Sequence, residues 1–353
     1  MVAILTEPGY GGSVWGKNLY GSLIGQLRQK RIPFCEITDF CPAEIHTVFL
    51  IAANFEWTKK AIEQLNRVGH QPILICNQYE RIPGCLYSCV CSDVNASMKG
   101  LLERLHLQNK RNVALYGVGR SSIADASRTS SLFSWLDGDV STLKVFHNEG
   151  SLENCFEAFF DRRQEFDAVL CANDYAAISL VRRLGQRDRD CLNDLAVISC
   201  AGTEISGLYR DAITSLHMDF APYGRAALYI YECMQKNPFV SGMPVNIRWS
   251  QESDAVQCRQ TELSLPMQED LFYADPEIRD MIIVDKYLNL SEPVDRDIFC
   301  GLLRGQTYQS IADRCFLTEG TIKYRVKRLV QLCGAESKAE LLSLLKSYIL
   351  ITD

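Results

Sequence analysis

Apolar and polar positions follow two different patterns, which divide the chain into a long first part and a short second part. Through residue 265, short apolar runs of β type alternate with amphipathic segments of helical period. The apolar runs include VAIL, TVFLIAA, PILIC, NVALYGV, AVLCA and LAVISC, and the helical segments fall at 17–30, 94–105, 121–136, 152–163 and 175–184. This alternation predicts an α/β fold with parallel sheets covered by helices. About ten strands are too many for one compact sheet of this kind, so we expect two lobes with a cleft between them.

The pattern changes near Leu265, where LPMQEDLFYADPEIRD brings in two prolines and an acidic cluster. Beyond this stretch the apolar spacing is helical throughout. We therefore expect a linker at 266–285 and a small all-α domain at 286–353. Helix start signals predict four short helices in that domain. The predicted starts are Ser291 with Pro293, Thr307, Thr318, and Ser337 with Glu340.

Residues 318–329, TEGTIKYRVKRL, predict the most informative of these helices. Its apolar side chains recur at helical spacing and predict one buried stripe, formed by Ile322, Val326, Leu329 and Cys333. The opposite face carries basic and aromatic side chains, namely Lys323, Tyr324, Lys327 and Arg328. The Thr318 hydroxyl is expected to cap the helix by accepting from the amide of Gly320 or Thr321. One face therefore suits a protein core and the other an anionic partner, although a charged face is also what any solvated surface helix shows.

The segment GQTYQSIADRCFLTEGTIKYRVKRL…ESKAELL resembles the LuxR/GerE-type helix-turn-helix domain over about 60 residues. The matching positions are Gly305, Thr307, Ile311, Ala312, Leu317, Thr318, Thr321, Ile322 and Lys323. The resemblance implies that 321–329, beginning with Thr321, is the DNA recognition helix, with Lys323, Tyr324 and Lys327 directed into the major groove. It implies that Arg325 and Arg328 meet phosphates. The chain departs from the family in its first helix, which opens with SEPVDRD instead of Thr-x-x-Arg-Glu.

A second resemblance covers about 260 residues of the first part. The segment VLCANDYAAISLVRRL at 169–184 resembles the Asn-Asp-x-x-Ala signature of the lactose/galactose-repressor family, whose sensor has the type I periplasmic-binding-protein fold. Further matching segments contain Asp93, Arg128, DLAVISCAG, Phe220 and Gly224. The resemblance implies a ligand-sensing domain over 1–265, with an N-lobe at about 1–117 and 220–247 and a C-lobe at about 118–219 and 248–265. The amino-terminal helix-turn-helix of that family has no counterpart here, since the first sensor strand begins at Val2.

The same resemblance implies that a small polar, sugar-like effector binds in the cleft. Arg128 and Asn173 would hydrogen-bond to its hydroxyls, Asp93 would line the N-lobe side, and Phe220 would pack near a hinge crossing. Trp15 is our own addition, as a stacking surface for a sugar ring. Each residue also has a structural alternative: Asn173 as a helix cap, Arg128 as an ion-pair partner and Trp15 as packing. The aspartate that usually follows the ViG strand is replaced by Ala201, so the pocket is either less sugar-like or degenerated into a partner surface.

Composition and charge limit the function classes. The net charge is −6, but 286–353 carries ten Lys/Arg and eight Asp/Glu, so a net +2 there stands against −8 in the remainder. That asymmetry fits a local basic module rather than a chain that coats nucleic acid. No apolar run is long enough to span a membrane, and the first residues have no basic n-region of a signal peptide. The fifteen cysteines are then expected to be reduced thiols in the cytoplasm.

Catalytic and metal signals are weak, so we expect no enzyme activity and no cofactor. The five histidines, His46, His70, His106, His147 and His217, form no metal-binding spacing. The glycine-rich GYGGSVWGK misses the spacing of a phosphate-binding loop. CLYSCVC, with Cys85, Cys89 and Cys91, lacks a fourth zinc ligand at metal-finger spacing, so buried thiols are the simpler interpretation.

These observations predict a one-component transcription regulator that binds double-stranded DNA, and we expect it to act as a homodimer on two half-sites. In this hypothesis a small-molecule effector favours one arrangement of the lobes, and the linker passes the change to the C-terminal domain. A phosphoreceiver front end is disfavoured, because FLIAANFEW lacks its aspartate. A scaffold protein with a degenerate pocket stays open as the alternative, and a sugar-processing enzyme lacks an acid/base pair.

Overall fold

The computed structural model of the protein describes residues 1–12, 14–38, 42–76, 82–119, 125, 128–130, 132, 144–148, 150–237, 239–248 and 275–349. Its strands are β1 Val2–Thr6, β2 Phe34–Ile37, β3 Thr47–Ile51, β4 Gln71–Ile75, β5 Ser88–Ser92, β6 Val113–Val118, β7 Lys144–His147, β8 Ala168–Cys171, β9 Ala196–Ala201, β10 Ile213–His217 and β11 Pro244–Ile247. Its α-helices are α1 Val14–Gln29, α2 Phe55–Arg67, α3 Val94–Leu107, α4 Leu152–Phe160, α5 Asp174–Arg187, α6 Cys191–Asp194, α7 Ala221–Lys236, α8 Pro276–Leu290, α9 Pro293–Leu303, α10 Tyr308–Cys315, α11 Glu319–Cys333 and α12 Lys338–Tyr348.

Six parallel strands form the first sheet, in the order β11-β5-β4-β3-β1-β2. Helices α1 and α7 pack together on one face, where Leu19, Leu23 and Leu27 meet Tyr223 and Ile230. Helix α2 supplies the buried side chains of the other face. The nearly continuous apolar strands and the amphipathic helices thus assemble as the alternating pattern predicts.

Five parallel strands form the second sheet, in the order β10-β9-β8-β6-β7. Helices α4 and α5 cover one face and α3 covers the other, through Leu101, Leu102 and Leu105. The predicted lobe boundary near residue 117 is therefore too late. The chain leaves the first sheet after Ser92. Both α3 and β6 belong to the second lobe, because their buried side chains form one core.

The chain returns to the first sheet after β10. Helix α7 lies on α1, and β11 pairs in parallel with β5, where Val245 lies opposite Val90. The predicted N-lobe segment 220–247 corresponds to these two elements. Most of the predicted helix at 121–136 and of the predicted C-lobe segment 248–265 lies outside the described residues.

Helices α8 to α12 form the C-terminal part. Helix α8 occupies residues that we expected in the linker at 266–285, since it begins at Pro276, and 266–274 lie outside the described range. The Asp275 side chain caps it by accepting from the Glu277 amide, and Ile278, Met281 and Val284 are buried. A proline in the first turn is therefore a helix start here, not a linker signal.

The caps predicted for the C-terminal helices are confirmed at three positions. Thr307, Thr318 and Ser337 each accept from the backbone three residues on, at 3.2, 3.1 and 3.1 Å. Ser291 instead ends α8, and α9 is capped by Glu292 together with Asp295. The core of these helices is continuous with the apolar face of the second lobe that α4 and α5 cover.

Candidate functional site

Two helices joined by a short turn carry the basic side chains of the C-terminal part. Helix α10 ends at Cys315, its C-cap Phe316 has the left-handed φ of 55°, and Thr318 is the N-cap of the next helix, α11. The Thr318 hydroxyl accepts from the Thr321 amide, as the sequence predicts, and lies 2.9 Å from the Thr321 hydroxyl. This cap fixes where α11 starts and hence which of its side chains face outward.

The two faces of α11 are divided as the apolar spacing predicts. Its inner stripe is buried and consists of Ile322, Val326, Leu329 and Cys333. Its outer face is exposed and consists of Lys323, Tyr324, Lys327 and Arg328. Lys323 forms an ion pair with Glu319 and lies over the Tyr308 ring at 5.8 Å. The hydrogen bond to Glu319 raises the pKa of Lys323. Within the described residues, nothing covers this outer face.

Arg325 does not share that exposed face. Its guanidinium donates to Asp295 at 2.9 Å and to Glu292 at 3.2 Å, and only 24% of the side chain is exposed. These contacts raise the pKa of Arg325, with the hydrogen bond to Asp295 as the largest cause. In this structure Arg325 thus joins α11 to the start of α9, and its expected contact with phosphate stays a prediction.

Trp15 joins the two lobes. It lies in the first turn of α1, and its ring meets that of Tyr175 edge-on with centroids 6.2 Å apart. Tyr175 lies in the first turn of α5, which follows β8 directly. Both rings thus stand beyond the carboxyl ends of parallel strands, the edge at which ligands bind in open α/β sheets.

Asn173 and Arg128 lie close together at this edge, and both make bonds within the chain. The Asn173 side chain caps α5 by accepting from the Ala176 amide at 3.0 Å. Arg128 forms an ion pair with Asp125 and donates to the Ala172 carbonyl at 2.8 Å. The structural roles that we left open for both residues are therefore present, and only 11% of the Arg128 side chain is exposed.

Asp93 and Phe220 lie where the chain crosses between the lobes. Asp93 caps α3 by accepting from the Ala96 amide at 3.1 Å and lies 3.9 Å from the Arg248 guanidinium. Phe220 precedes α7, is half-buried and packs beside Tyr223 with ring centroids 6.3 Å apart. The structure thus brings Trp15, Arg128 and Asn173 to one edge and places Asp93 and Phe220 at the crossings.

Asp174 forms a buried polar centre at the start of α5. Its carboxylate is fully buried and accepts from the Thr203 amide at 2.6 Å, the Thr203 hydroxyl at 2.8 Å and the Ser215 hydroxyl at 2.6 Å, as well as from Ser199. These bonds hold the loop after β9 in place. Ala201, where a sugar-binding aspartate was expected, ends β9 beside that loop.

Sequence reasoning missed Asn148, directly after β7 at the same edge of the second sheet. The residue is 9% exposed, and neither its side-chain oxygen nor its nitrogen has a hydrogen-bond partner in the described structure. The preceding His147 also has an unpartnered Nδ1. A buried amide without partners is costly, and a ligand or water that supplied both would remove that cost. The signal in the sequence is slight, being one asparagine after the short run KVFH.

Among the described side chains, no group of His, Cys, Asp or Glu is arranged to hold a metal ion. Cys89 and Cys91 are buried in β5, Cys91 approaches the Asn246 side-chain oxygen at 3.0 Å, and Cys85 is half-buried. The hydrogen bond to Cys91 and burial raise the pKa of Cys89, which suits an inert thiol. None of the helices in the described ranges is long and apolar enough to cross a membrane.

Comparison with known proteins identifies the fold. The family model of a periplasmic binding protein-like domain matches residues 102–238. No curated protein sequence matches the chain. Solved structures match its first part, and the similarity confirms the predicted type I periplasmic-binding-protein-like fold, with two parallel sheets followed by a helical C-terminal region.

Three of these solved structures are transcription regulators. The Lac repressor dimer bound to operator and the anti-inducer ONPF matches with a TM-score of 0.57 at 14% identity, over 70% of this chain and 79% of that one. The LacI family regulator CCPA from Weissella paramesenteroides with bound sucrose matches with a TM-score of 0.56 at 15% identity, over 72% and 98%. The regulator CelR in complex with cellobiose matches with a TM-score of 0.56 at 14% identity, over 70% and 82%.

Proposed function

We propose that this protein is a DNA-binding transcription regulator whose two-lobed sensor binds a small, sugar-like molecule. The observation that carries the proposal is the outer face of α11, where Lys323, Tyr324, Lys327 and Arg328 are exposed on a helix that follows a short turn and a Thr318 cap. This arrangement fits the LuxR-type helix-turn-helix inferred from 286–353, extended at its start to α8. A recognition helix of this kind reads bases with its outward side chains and phosphates with its arginines.

The proposed effector binding is supported by the fold and by the carboxyl edge of the parallel sheets, where Trp15, Arg128, Asn148 and Asn173 lie. The similar regulators carry sucrose or cellobiose, and the Lac repressor was solved as a dimer on its operator. A sugar offers hydroxyls that both donate and accept, which is what the unpartnered Asn148 amide lacks. By the same analogy, the protein acts as a homodimer on two half-sites in the cytoplasm, without a catalytic role or a cofactor.

DNA binding is tested by selection from random double-stranded DNA at physiological salt. The wild-type protein is expected to enrich a two-fold symmetric motif, and Lys323→Ala/Lys327→Ala is expected to enrich none. Lys346→Ala, which removes an exposed positive charge from α12, is the matched control and should enrich the same motif. No enrichment by the wild type, alone or with sucrose, glucose or cellobiose, would contradict the proposal.

Effector binding is tested separately by calorimetry with the same three sugars. Asn148→Ala should weaken binding at least tenfold, whereas Asn66→Ala, a change of an asparagine on α2 that pairs with Leu86, should leave it unchanged. If no sugar binds the wild type, the sensor half of the proposal is wrong, whatever the DNA experiment gives.

One observation favours a second function, a partner-binding protein with a degenerate pocket. Arg128, Asn173 and Asp93 all bond to other parts of the chain, and Trp15 is in contact with Tyr175. Side chains used in this way have less capacity to hold a ligand. Absence of both sugar and DNA binding in the two experiments above would favour this function.

A further inference from the structure

A fully buried carboxylate joins the C-terminal helices to the second lobe. Asp285 lies on α8, has no exposed surface, and accepts from the Ile205 amide at 2.9 Å. Its other oxygen accepts from the side-chain amide of Asn289, on the same helix, at 3.3 Å. Ile205 begins the short 3-10 helix Ile205–Tyr209, which belongs to the second lobe. The hydrogen bond between Ile205 and Asp285 therefore joins the second lobe to the C-terminal helices.

The loop that meets Asp285 is fixed from its other side by Asp174. Thr203, two residues before Ile205, donates to Asp174 through both its amide and its hydroxyl. Residues 203–205 are thus held between two buried carboxylates, one from the lobe and one from α8. This loop follows β9 at the carboxyl edge of the sheet. A movement of the backbone at that edge is therefore transmitted to α8 through residues 203–205 alone.

Other contacts across the same interface have donors suited to a carboxylate. Asp275 accepts from the Leu152 amide at 2.7 Å, and Glu277 accepts from Ser179 at 2.9 Å and from Arg183 at 3.0 Å. The Arg183 contact is an ion pair in which 26% of the arginine side chain is exposed. These acids have partners that stabilise their charge.

Asp285 differs in the charges that face it. Glu204 from the loop and Asp174 from α5 are both acidic, and no Lys or Arg in the described residues forms an ion pair with Asp285. Burial lowers the pKa of Lys286, the next residue of α8. Burial, followed by the charges of Asp174 and Glu204, raises the pKa of Asp285 to about 7 against two opposing backbone hydrogen bonds.

We propose that Asp285 is a proton-dependent latch, which holds the C-terminal helices on the second lobe when it is protonated and loosens that contact when it ionises. The proposal concerns docking within the chain and does not depend on which DNA or effector is bound. If the proposed regulator function is also correct, the latch sets how firmly α11 follows the movements of the sensor.

The direction of the pH effect follows from proton linkage. The pKa of Asp285 is raised in the docked state above its ordinary value of 3.8. The stabilisation of docking is therefore fully present below the undocked pKa and is lost as pH rises through about 7. For these two pKa values, the docking equilibrium constant falls about tenfold between pH 6 and pH 8.

The test is hydrogen exchange of the full chain at pH 6, 7 and 8, corrected for the intrinsic exchange rate. Peptides covering 202–209 and 276–290 should lose protection about tenfold from pH 6 to pH 8 in the wild type. Asp285→Asn keeps an oxygen that accepts from Ile205 but cannot ionise, so its protection should stay constant. Asp297→Asn, an exposed aspartate on α9, is the matched control and should behave as the wild type.

Two results would overturn the latch. One is constant protection of both peptides in the wild type, which needs no variant to interpret. The other is the same loss of protection in Asp285→Asn as in the wild type, which would assign the pH effect to another group. Because no DNA or sugar is present, either result is independent of the outcome for the proposed function.

Discussion

Arg325 on α11 donates to Asp295 on α9 across 2.9 Å, and Asp295 at the same time caps the first turn of its own helix. Asp295 is only 3% exposed in this pair. One carboxylate thus sets both the start of α9 and the position of α11 against it. Arg325, which we expected to meet phosphate, therefore also holds α11 in position against α9.

Replacement of Arg325 should lower stability. Arg325→Ala leaves the buried Asp295 without its cation, and we expect the free energy of unfolding to fall by about 1–3 kcal/mol. Urea unfolding measures this loss. Arg328→Ala, on the exposed face of the same helix, should change it by less than about 0.5 kcal/mol. If both changes lower the free energy of unfolding by the same amount, the ion pair of Arg325 with Asp295 adds no stability beyond that of an exposed arginine.

The exposed cations should appear in the salt dependence of DNA binding. Arg328→Ala removes a charge that the proposed complex places at a phosphate, so the slope of log affinity against log salt should fall by about one unit. Lys327→Ala removes a charge that the proposed complex places in the major groove, so it should change the slope by less than about one unit. Anisotropy titrations of a selected duplex at several salt concentrations measure the slope. Lys346→Ala should leave it unchanged, and an unchanged slope in all three variants would place the DNA elsewhere.

The contact of α1 with α7 should not tolerate a side chain at Gly224. An added Cβ there would lie 2.3 Å from the Ser22 carbonyl oxygen, a distance that requires the helices to separate. Gly224→Ala should therefore cost more than about 2 kcal/mol in thermal or urea unfolding. Gly21→Ala is the matched control on α1, where an added Cβ meets nothing within 4 Å, and it should raise stability by about 0.5–1 kcal/mol.

Asn173 allows its two possible roles to be separated. Asn173→Ala removes the cap of α5 and should cost about 1 kcal/mol, whereas Asn173→Ser restores an acceptor for the Ala176 amide and most of that stability. If Asn173 also contacts the effector, the serine variant should be stable and still bind sugar weakly. Calorimetry and unfolding on the same two variants distinguish these outcomes, and full sugar binding by the serine variant would leave Asn173 with the cap alone.

Local patterns predicted much of this structure, because periodicity and capping depend on neighbours in the chain. The stripe Ile322, Val326, Leu329 and Cys333 and the cap at Thr318 are examples. Contacts between distant residues were not predictable in this way. The assignment of α3 to the second lobe is one case, since an amphipathic helix does not indicate which of two sheets it covers.

Contacts between distant residues limited the prediction of the candidate site even more than that of the fold. The residue types at Arg325 and Arg128 suited the expected ligands, but the bonds of Arg325 to Asp295 and of Arg128 to the Ala172 carbonyl join residues far apart in the chain and depend on the folded arrangement. Asn148 is distinguished only by a side-chain amide without hydrogen-bond partners, and a single sequence does not show such an absence. Asp285 likewise reads as an ordinary helical aspartate until Ile205 is found beside it.

The continuous core between the second lobe and the C-terminal helices has a mechanical consequence. Helix α8 has 15 residues, which makes it a rod of about 22 Å that is bonded to the lobe at Glu277 in its first turn and at Asp285 about two turns farther on, with residues 286–290 beyond the second bond. A rod fixed in this way acts as a lever arm, and a small rotation of the lobe becomes a larger sweep at its far end. In the proposed homodimer on DNA, this movement would change the relative position of the two outer faces of α11 along the double helix and would leave both faces exposed.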